Sequence, residues 1–228
     1  SNTNGTGVGG LYTNTAAGGY SGDATGDTYS GFEVFIGTDY ADYVGSGASN
    51  MTFYLGAGND VFDTNDSDNA VDTVYGGAGN DTMWAGNGND ILIGGAGDDY
   101  LNGEGGTDTA SYIDATTGVT VSLATTSAQN TVGAGTDTLI NIENLYGSTF
   151  ADTLTGDGNA NVISGDAGND TIAGGAGNDT LDGGDGDDTI QGGTGDDVMT
   201  GGAGSDWVNY SDGNSVTVNL SVTTAQNT

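Results

Sequence analysis

Two series of aspartates recur at intervals of nine residues. Asp81, Asp90, Asp99 and Asp108 form the first; Asp170, Asp179, Asp188, Asp197 and Asp206 form the second. Each closes a six-residue stretch rich in glycine, as in G-G-A-G-N-D from Gly76 and G-D-A-G-N-D from Gly165. The rest of the chemical inventory is narrow. The 228 residues include no Lys, Arg, His, Cys or Pro, against 32 acidic residues and 46 glycines. Thiolate sites are excluded and imidazole sites have no ligand. What remains is hard oxygen from carboxylates, carbonyls and hydroxyls, a set that suits Ca²⁺ first and Mg²⁺ second. The formal charge of −32 leaves no basic footprint for nucleic acid and disfavours an anionic membrane surface. No apolar run is long enough to span a bilayer, so no direct membrane insertion is expected. The glycine-rich turns do not read as phosphate cradles, because there is no Lys and every turn carries an Asp. Catalysis would need hydroxyls or a glycosidase-type carboxylate pair. The repeat accounts for nearly every Asp, so no enzyme is expected within these residues.

The intervening positions say what must hold these acids. Four nine-residue blocks run from Gly76 to Ser111 and five from Gly165 to Asn209. Stepping by nine extends the frame to Gly156, Gly147 and Thr138, and on the other side to Ser46, Gly37 and Thr28. The frame shifts once, by Thr64, Asn65 and Asp66. The eighth position is apolar throughout: Phe35, Val44, Phe53, Phe62, Val74, Met83, Leu92, Leu101 and Ala110, then Leu145, Leu154, Ile163, Ile172, Leu181, Ile190, Met199 and Val208. A spacing of nine fits neither an amphipathic helix nor one long strand. It fits a solenoid in which each repeat sends one side chain inward.

A longer period overlies the short one. S-Y-I-D, V-T-V-S-L and A-Q-N-T within 110–131 return as N-Y-S-D, V-T-V-N-L and A-Q-N-T within 208–228. Likewise, G-F-E-V-F-I-G-T-D-Y-A-D-Y-V from Gly31 is similar to N-I-E-N-L-Y-G-S-T-F-A-D-T-L from Asn141. The expected organisation is a poorly specified segment at 1–27, a first module at 28–111, a linker at 112–137, a second module at 138–209 and the opening of a third at 210–228. The lack of an initiator Met and the ending in mid-pattern suggest a piece of a longer protein.

The block G-G-x-G-x-D-x-U-x, where U is apolar, resembles the repeats-in-toxin (RTX, haemolysin-type) calcium-binding family. The resemblance implies an all-β fold: a parallel β-roll, or β-solenoid, of nonapeptide repeats in tandem modules. Two repeats make a coil of 18 residues, and coils stack as parallel strands ~4.8 Å apart. Stacked sixth-position carboxylates at ~5 Å and an effective dielectric of ~20 repel by roughly 3 kcal/mol. A divalent cation between coils reverses that sign, so metal binding becomes folding energy.

In the family, each Ca²⁺ lies between a turn and the turn 18 residues later. The first turn gives its second and fourth carbonyls and its Asp; the second gives its first and third carbonyls and its Asp. Carried over, the resemblance implies several ions. One uses Gly77, Gly79 and Asp81 with Gly94, Ala96 and Asp99. Another uses Gly86, Gly88 and Asp90 with Gly103, Gly105 and Asp108. In the second module Asp166, Gly168 and Asp170 join Gly183, Asp185 and Asp188. Gly175, Gly177 and Asp179 join Gly192, Thr194 and Asp197. Gly184, Gly186 and Asp188 join Gly201, Ala203 and Asp206. Met51 and Asn161 stand where Asp is expected, and the turns before Asp42, Asp60, Asp72 and Asp152 lack several glycines. The first two coils of each module are therefore expected to rest mainly on their cores.

Other features read blandly. Asp63, Asp66, Asp68 and Asp72 resemble an EF-hand only faintly, without its Gly and Glu, and read as a solvated insertion. The Asn-x-Thr matches follow from the repeat. Trp84 and Trp207 fall on outward positions, and Tyr112 and Tyr210 at roll ends suit capping of the core. The expected role is a calcium-dependent structural module of a secreted or surface protein, such as an S-layer, matrix or adhesin protein, with self-association into arrays. The alternative is a secretion and folding module attached to a type I secreted toxin or enzyme. Sugar or ice binding would need regular outward Thr ranks, which are interrupted here.

Overall fold

The computed structural model describes residues 32–45, 49–64 and 69–210. Among them there is no helix, only short strands. The repeat positions Thr28 and Ser46, the segment 1–27, Asp66 and Asp68, and residues 211–228 lie outside the described residues. Two compact units form: the described residues up to Ala110 with Asp137–Ile142, and Ser111–Thr136 with Glu143 onward.

In the first unit, one sheet stacks Val34–Thr38, Thr52–Ala57, Thr73–Ala78 and Ile91–Ala96, with Thr109 and Ala110 beside Ile91 and Leu92. A second sheet stacks Tyr43–Val44, Val61–Asp63, Thr82–Trp84, Tyr100–Asn102 and Thr136–Ile140. All these pairs are parallel, and successive sequence repeats alternate between the two sheets. That is the roll expected from the repeat. Partners usually stand 18 residues apart, as in Asp81 and Asp99. Across the coil containing 64–66 the step becomes 21, as in Asp60 and Asp81, and both sheets take it together: Thr52 pairs with Thr73, and Val61 with Thr82. The three-residue frame shift thus leaves the pairing of both sheets intact.

The second unit repeats the plan. Asn144–Tyr146, Val162–Ser164, Thr180–Asp185 and Val198–Ala203 form one parallel sheet. Thr120–Ser122, Thr153–Thr155, Thr171–Ala176, Thr189–Thr194 and Trp207–Val208 form the other. The V-T-V-S-L segment therefore supplies a strand, burying Val119, Val121 and Leu123.

The eighth-position side chains make the core. Phe53, Phe62, Val74, Met83 and Leu92 are fully buried in the first unit, and Leu145, Leu154, Ile163, Ile172 and Leu181 in the second. Phe53 packs on Phe62 with ring centroids 4.7 Å apart. Neighbouring strand positions point outward, as a two-residue period requires. Trp84 is half-buried against Tyr100, whereas Trp207 is exposed; Tyr112 is buried.

Stepping by nine makes Thr138 the start of a turn. The structure instead places it in a strand, with Leu139 opposite Leu101. The cause is legible afterwards. V-G-A-G-T-D-T-L-I at 132–140 is itself a repeat, but no multiple of nine joins it to either run.

Candidate metal centre

The turns between strands carry the acids. Gly77 and Gly79 have φ of +102° and +136°, a region where only glycine is unstrained. They also admit the next coil, since a Cβ on Gly95 would overlap the Gly77 carbonyl. This close approach brings successive turns together and puts the sixth-position carboxylates inside the protein. Asp60, Asp81, Asp99, Asp170, Asp179 and Asp188 are all 2 % exposed or less.

The two oxygens of these carboxylates differ. Oδ1 accepts the backbone N–H of the Asp one coil earlier: Asp81 N–H donates to Asp99 at 2.8 Å, Asp90 to Asp108 at 2.8 Å, Asp170 to Asp188 at 2.8 Å, and Asp188 to Asp206 at 3.1 Å. Asp179 N–H donates to Asp197 at 3.0 Å. Oδ2 of Asp60, Asp81, Asp99, Asp170, Asp179 and Asp188 is buried and accepts no hydrogen bond. A buried carboxylate oxygen without a partner is costly, so these atoms call for a proton or a cation. Burial accordingly raises the carboxyls, Asp60 and Asp170 to about 6 and Asp99 to about 7, with neighbouring aspartates adding to the rise. Asp81, Asp179 and Asp188 are raised for the same first reason.

At the first-position glycines, oxygens of two turns converge. A Cβ on Gly76 would overlap both Asp81 Oδ2 and the Gly94 carbonyl. The same convergence joins Asp170 with Gly183 at Gly165, Asp179 with Gly192 at Gly174, and Asp188 with Gly201 at Gly183. These pairs couple the first turn's Asp to the first carbonyl of the next turn, as the resemblance implies. The carbonyls of Gly77, Gly79, Asp166, Gly168, Gly175, Gly177, Gly184 and Gly186 all face the following coil. Third-position carbonyls are already ladder acceptors: Gly79 N–H donates to Ala96, Gly168 to Asp185, Gly177 to Thr194 and Gly186 to Ala203, at 2.8 to 2.9 Å. A carbonyl keeps a second lone pair for a metal. For the remaining expected site, Gly105 N–H donates to the Gly86 carbonyl at 2.9 Å, and Asn87–Gly88 pairs with Gly105–Gly106.

Among the described residues, no three acidic side chains gather closely enough to hold an ion alone. The donor set is carbonyl-rich, with carboxylates contributed one per turn. Such a mixed and adaptable oxygen shell suits Ca²⁺ better than the rigid octahedron of Mg²⁺. Replacing Gly174 by Ala puts a methyl between Asp179 Oδ2 and the Gly192 carbonyl. The variant is expected to bind one Ca²⁺ fewer per chain with the roll retained, a loss read by native mass spectrometry.

Two sixth-position rungs were passed over by the repeat frame or discounted. Asp137 caps the Asp99 N–H at 3.1 Å, and Asp60 has the same orphaned Oδ2 as Asp81. The signal for Asp137 was its tripeptide, Asp-Thr-Leu, shared with 152–154 and 179–181.

A comparison with known families agrees with this geometry. RTX calcium-binding nonapeptide repeats (four copies) match at residues 27–62, 66–101, 75–110, 146–181 and 182–216. No curated protein matches the sequence. With those matches spanning more than half of the chain, and with coils that stack in the register the repeat demands, the protein belongs to the RTX calcium-binding nonapeptide-repeat family.

Proposed function

We propose that this β-roll is a structural module of a secreted or cell-surface protein, and that Ca²⁺ held between successive turns drives its folding. The observation that carries the reading is that the buried carboxylates of Asp60, Asp81, Asp99, Asp170, Asp179 and Asp188 each keep one oxygen without a hydrogen bond, in a chain without a single cationic side chain. At neutral pH files of such carboxylates oppose the stacked fold, and a cation between coils turns the opposition into attraction. The ligand sets are those implied by the family, from Gly77, Gly79 and Asp81 with Gly94, Ala96 and Asp99 to Gly184, Gly186 and Asp188 with Gly201, Ala203 and Asp206. Asp60 and Asp81 extend the series by one.

A fold held this way belongs where Ca²⁺ is plentiful, outside the cell. The absence of Lys and Arg removes every trypsin-type cleavage site, which suits an exposed coat. Self-association into an array is part of the proposal. In metal-free buffer at pH 7.5 the far-ultraviolet circular dichroism should be that of an unfolded chain, and millimolar Ca²⁺ should restore β-structure cooperatively. Equal β-content in excess chelator would sink the metal-driven folding. Monodisperse particles in electron microscopy of the chain at millimolar Ca²⁺ would sink the array.

A further inference from the structure

Not all turns are built alike, and the difference lies at the second position. In most turns this residue has positive φ: +102° at Gly77, +106° at Gly175 and +98° at Gly184, and even Asp166 takes +74° despite its side chain. The sixth-position Oδ2 then has no hydrogen bond, as at Asp81, Asp170, Asp179 and Asp188. Three turns carry a side chain at this position without positive φ: 37–42, 147–152 and 156–161. Their second residues are Thr38, Ser148 and Asp157, none with positive φ.

In these three the turn satisfies its own sixth residue. The Thr38 N–H donates to Asp42 Oδ2 at 2.8 Å, and its hydroxyl to the same oxygen at 3.0 Å. Ser148 donates its N–H to Asp152 Oδ2 at 2.6 Å and its hydroxyl to Oδ1 at 2.8 Å. The Asp157 N–H donates to Asn161 Oδ1 at 2.9 Å, while Asn161 Nδ2 donates to the Glu143 carbonyl at 2.7 Å. Each second-position side chain in turn accepts the fourth-position N–H, from Tyr40, Phe150 and Asn159. At Gly147 the oxygens still converge as elsewhere: Asp152 Oδ2 and the Gly165 carbonyl meet there. N–H and O–H protons stand where the other turns offer only oxygen.

We infer that the second-position residue decides whether a turn takes a cation, and that turns 37–42, 147–152 and 156–161 are closed to metal by their own donors. The inference rests on the reading that Ca²⁺ lies between turns. Its consequence is a fixed start for three of the files. Asp42 precedes Asp60 and Asp81, Asp152 precedes Asp170 and Asp188, and Asn161 precedes Asp179 and Asp197, each donating its N–H to the first of those that follow. The closed turn is a rung that needs no ion and seats the first open one. Thr38, Ser148 and Asp157 are thus positioning residues, acting through the carboxylate or carboxamide they cap.

Crystals of the whole chain grown in Tb³⁺ test this directly through anomalous scattering. Peaks are expected between open turns, as between Asp170 and Asp188, and none bonded to Asp42, Asp152 or Asn161. A Tb³⁺ on any of those three overturns the inference while leaving the calcium reading intact; no Tb³⁺ at any turn overturns both. Two variants add a gain of function: Ser148→Gly with Phe150→Gly, and Asp157→Gly with Asn159→Gly and Asn161→Asp. Each restores an open turn and is expected to bind one more Ca²⁺ per chain by native mass spectrometry. A folded variant with the parent's ion count speaks against the inference.

Discussion

Stripped of metal, the chain is expected to be unfolded at pH 8 and to regain β-structure as the pH falls through 7 towards 4. The cause is the set of buried carboxyls whose folded-state values lie above the ordinary 3.8: Asp99 at about 7, Asp60 and Asp170 at about 6. A carboxyl raised by folding binds its proton more tightly in the folded state. It therefore contributes stability fully below its unfolded value, and that stability is lost as the pH rises through the folded value. The window here runs from about 4 to about 7. Protonation supplies a neutral O–H at the orphaned Oδ2 and removes repulsion between coils. On the proposed function Ca²⁺ does the same above pH 7, so protons and Ca²⁺ are expected to compete: the Ca²⁺ concentration for half-binding should rise as the pH drops below 7. Circular dichroism of the dialysed, metal-free chain at stepped pH reads the first effect and calorimetric titration the second. A metal-free chain no more structured at pH 5 than at pH 8 would contradict the account.

Phe53→Ala is expected to cost about 3–5 kcal/mol, near the upper end for a single core truncation. Phe53 is fully buried and touches Phe62 at 4.7 Å and Phe35 at 6.1 Å between centroids. The core between the two sheets is a single layer, and the neighbouring Leu55 is itself fully buried, so little can move into the space. Denaturant unfolding at fixed millimolar Ca²⁺ measures the loss, and the Ca²⁺ midpoint for folding should move upward with it. Trp207→Ala is the comparison: Trp207 is 72 % exposed, and its loss should stay within about 0.5 kcal/mol. Equal effects for the two would mean that the core assignment is wrong.

Much of this architecture could be read before any coordinates. Phe53, Leu92 and Ile172 at the eighth position declare an interior, and Asp81 or Asp179 at the sixth declares the turns, because within each unbroken run both sets are spaced by nine. The shift at 64–66 was legible because the frame resumed beyond it. Asp137 was hidden for the opposite reason: the breaks on both sides of 132–140 erase the spacing and leave only a tripeptide. The closed turns were visible as departures from glycine, but not their meaning. Whether Ser148 caps Asp152 or merely fills a turn depends on the sign of φ, which no spacing encodes. The different duties of Oδ1 and Oδ2 likewise follow from how two coils meet, a distance of 18 residues away in sequence.

The lone 21-residue step carries a practical lesson about tolerance. Three additional residues lie between Asp63 and Thr73, yet Phe53 still faces Val74 and Phe62 still faces Met83. The strands on either side act as rails that fix the pairing, so the number of residues between them does not set the register. A foreign peptide inserted between Thr64 and Asn69 is therefore expected to leave the pairing of Thr52 with Thr73 and of Val61 with Thr82 in place, which makes this connection a port for grafting.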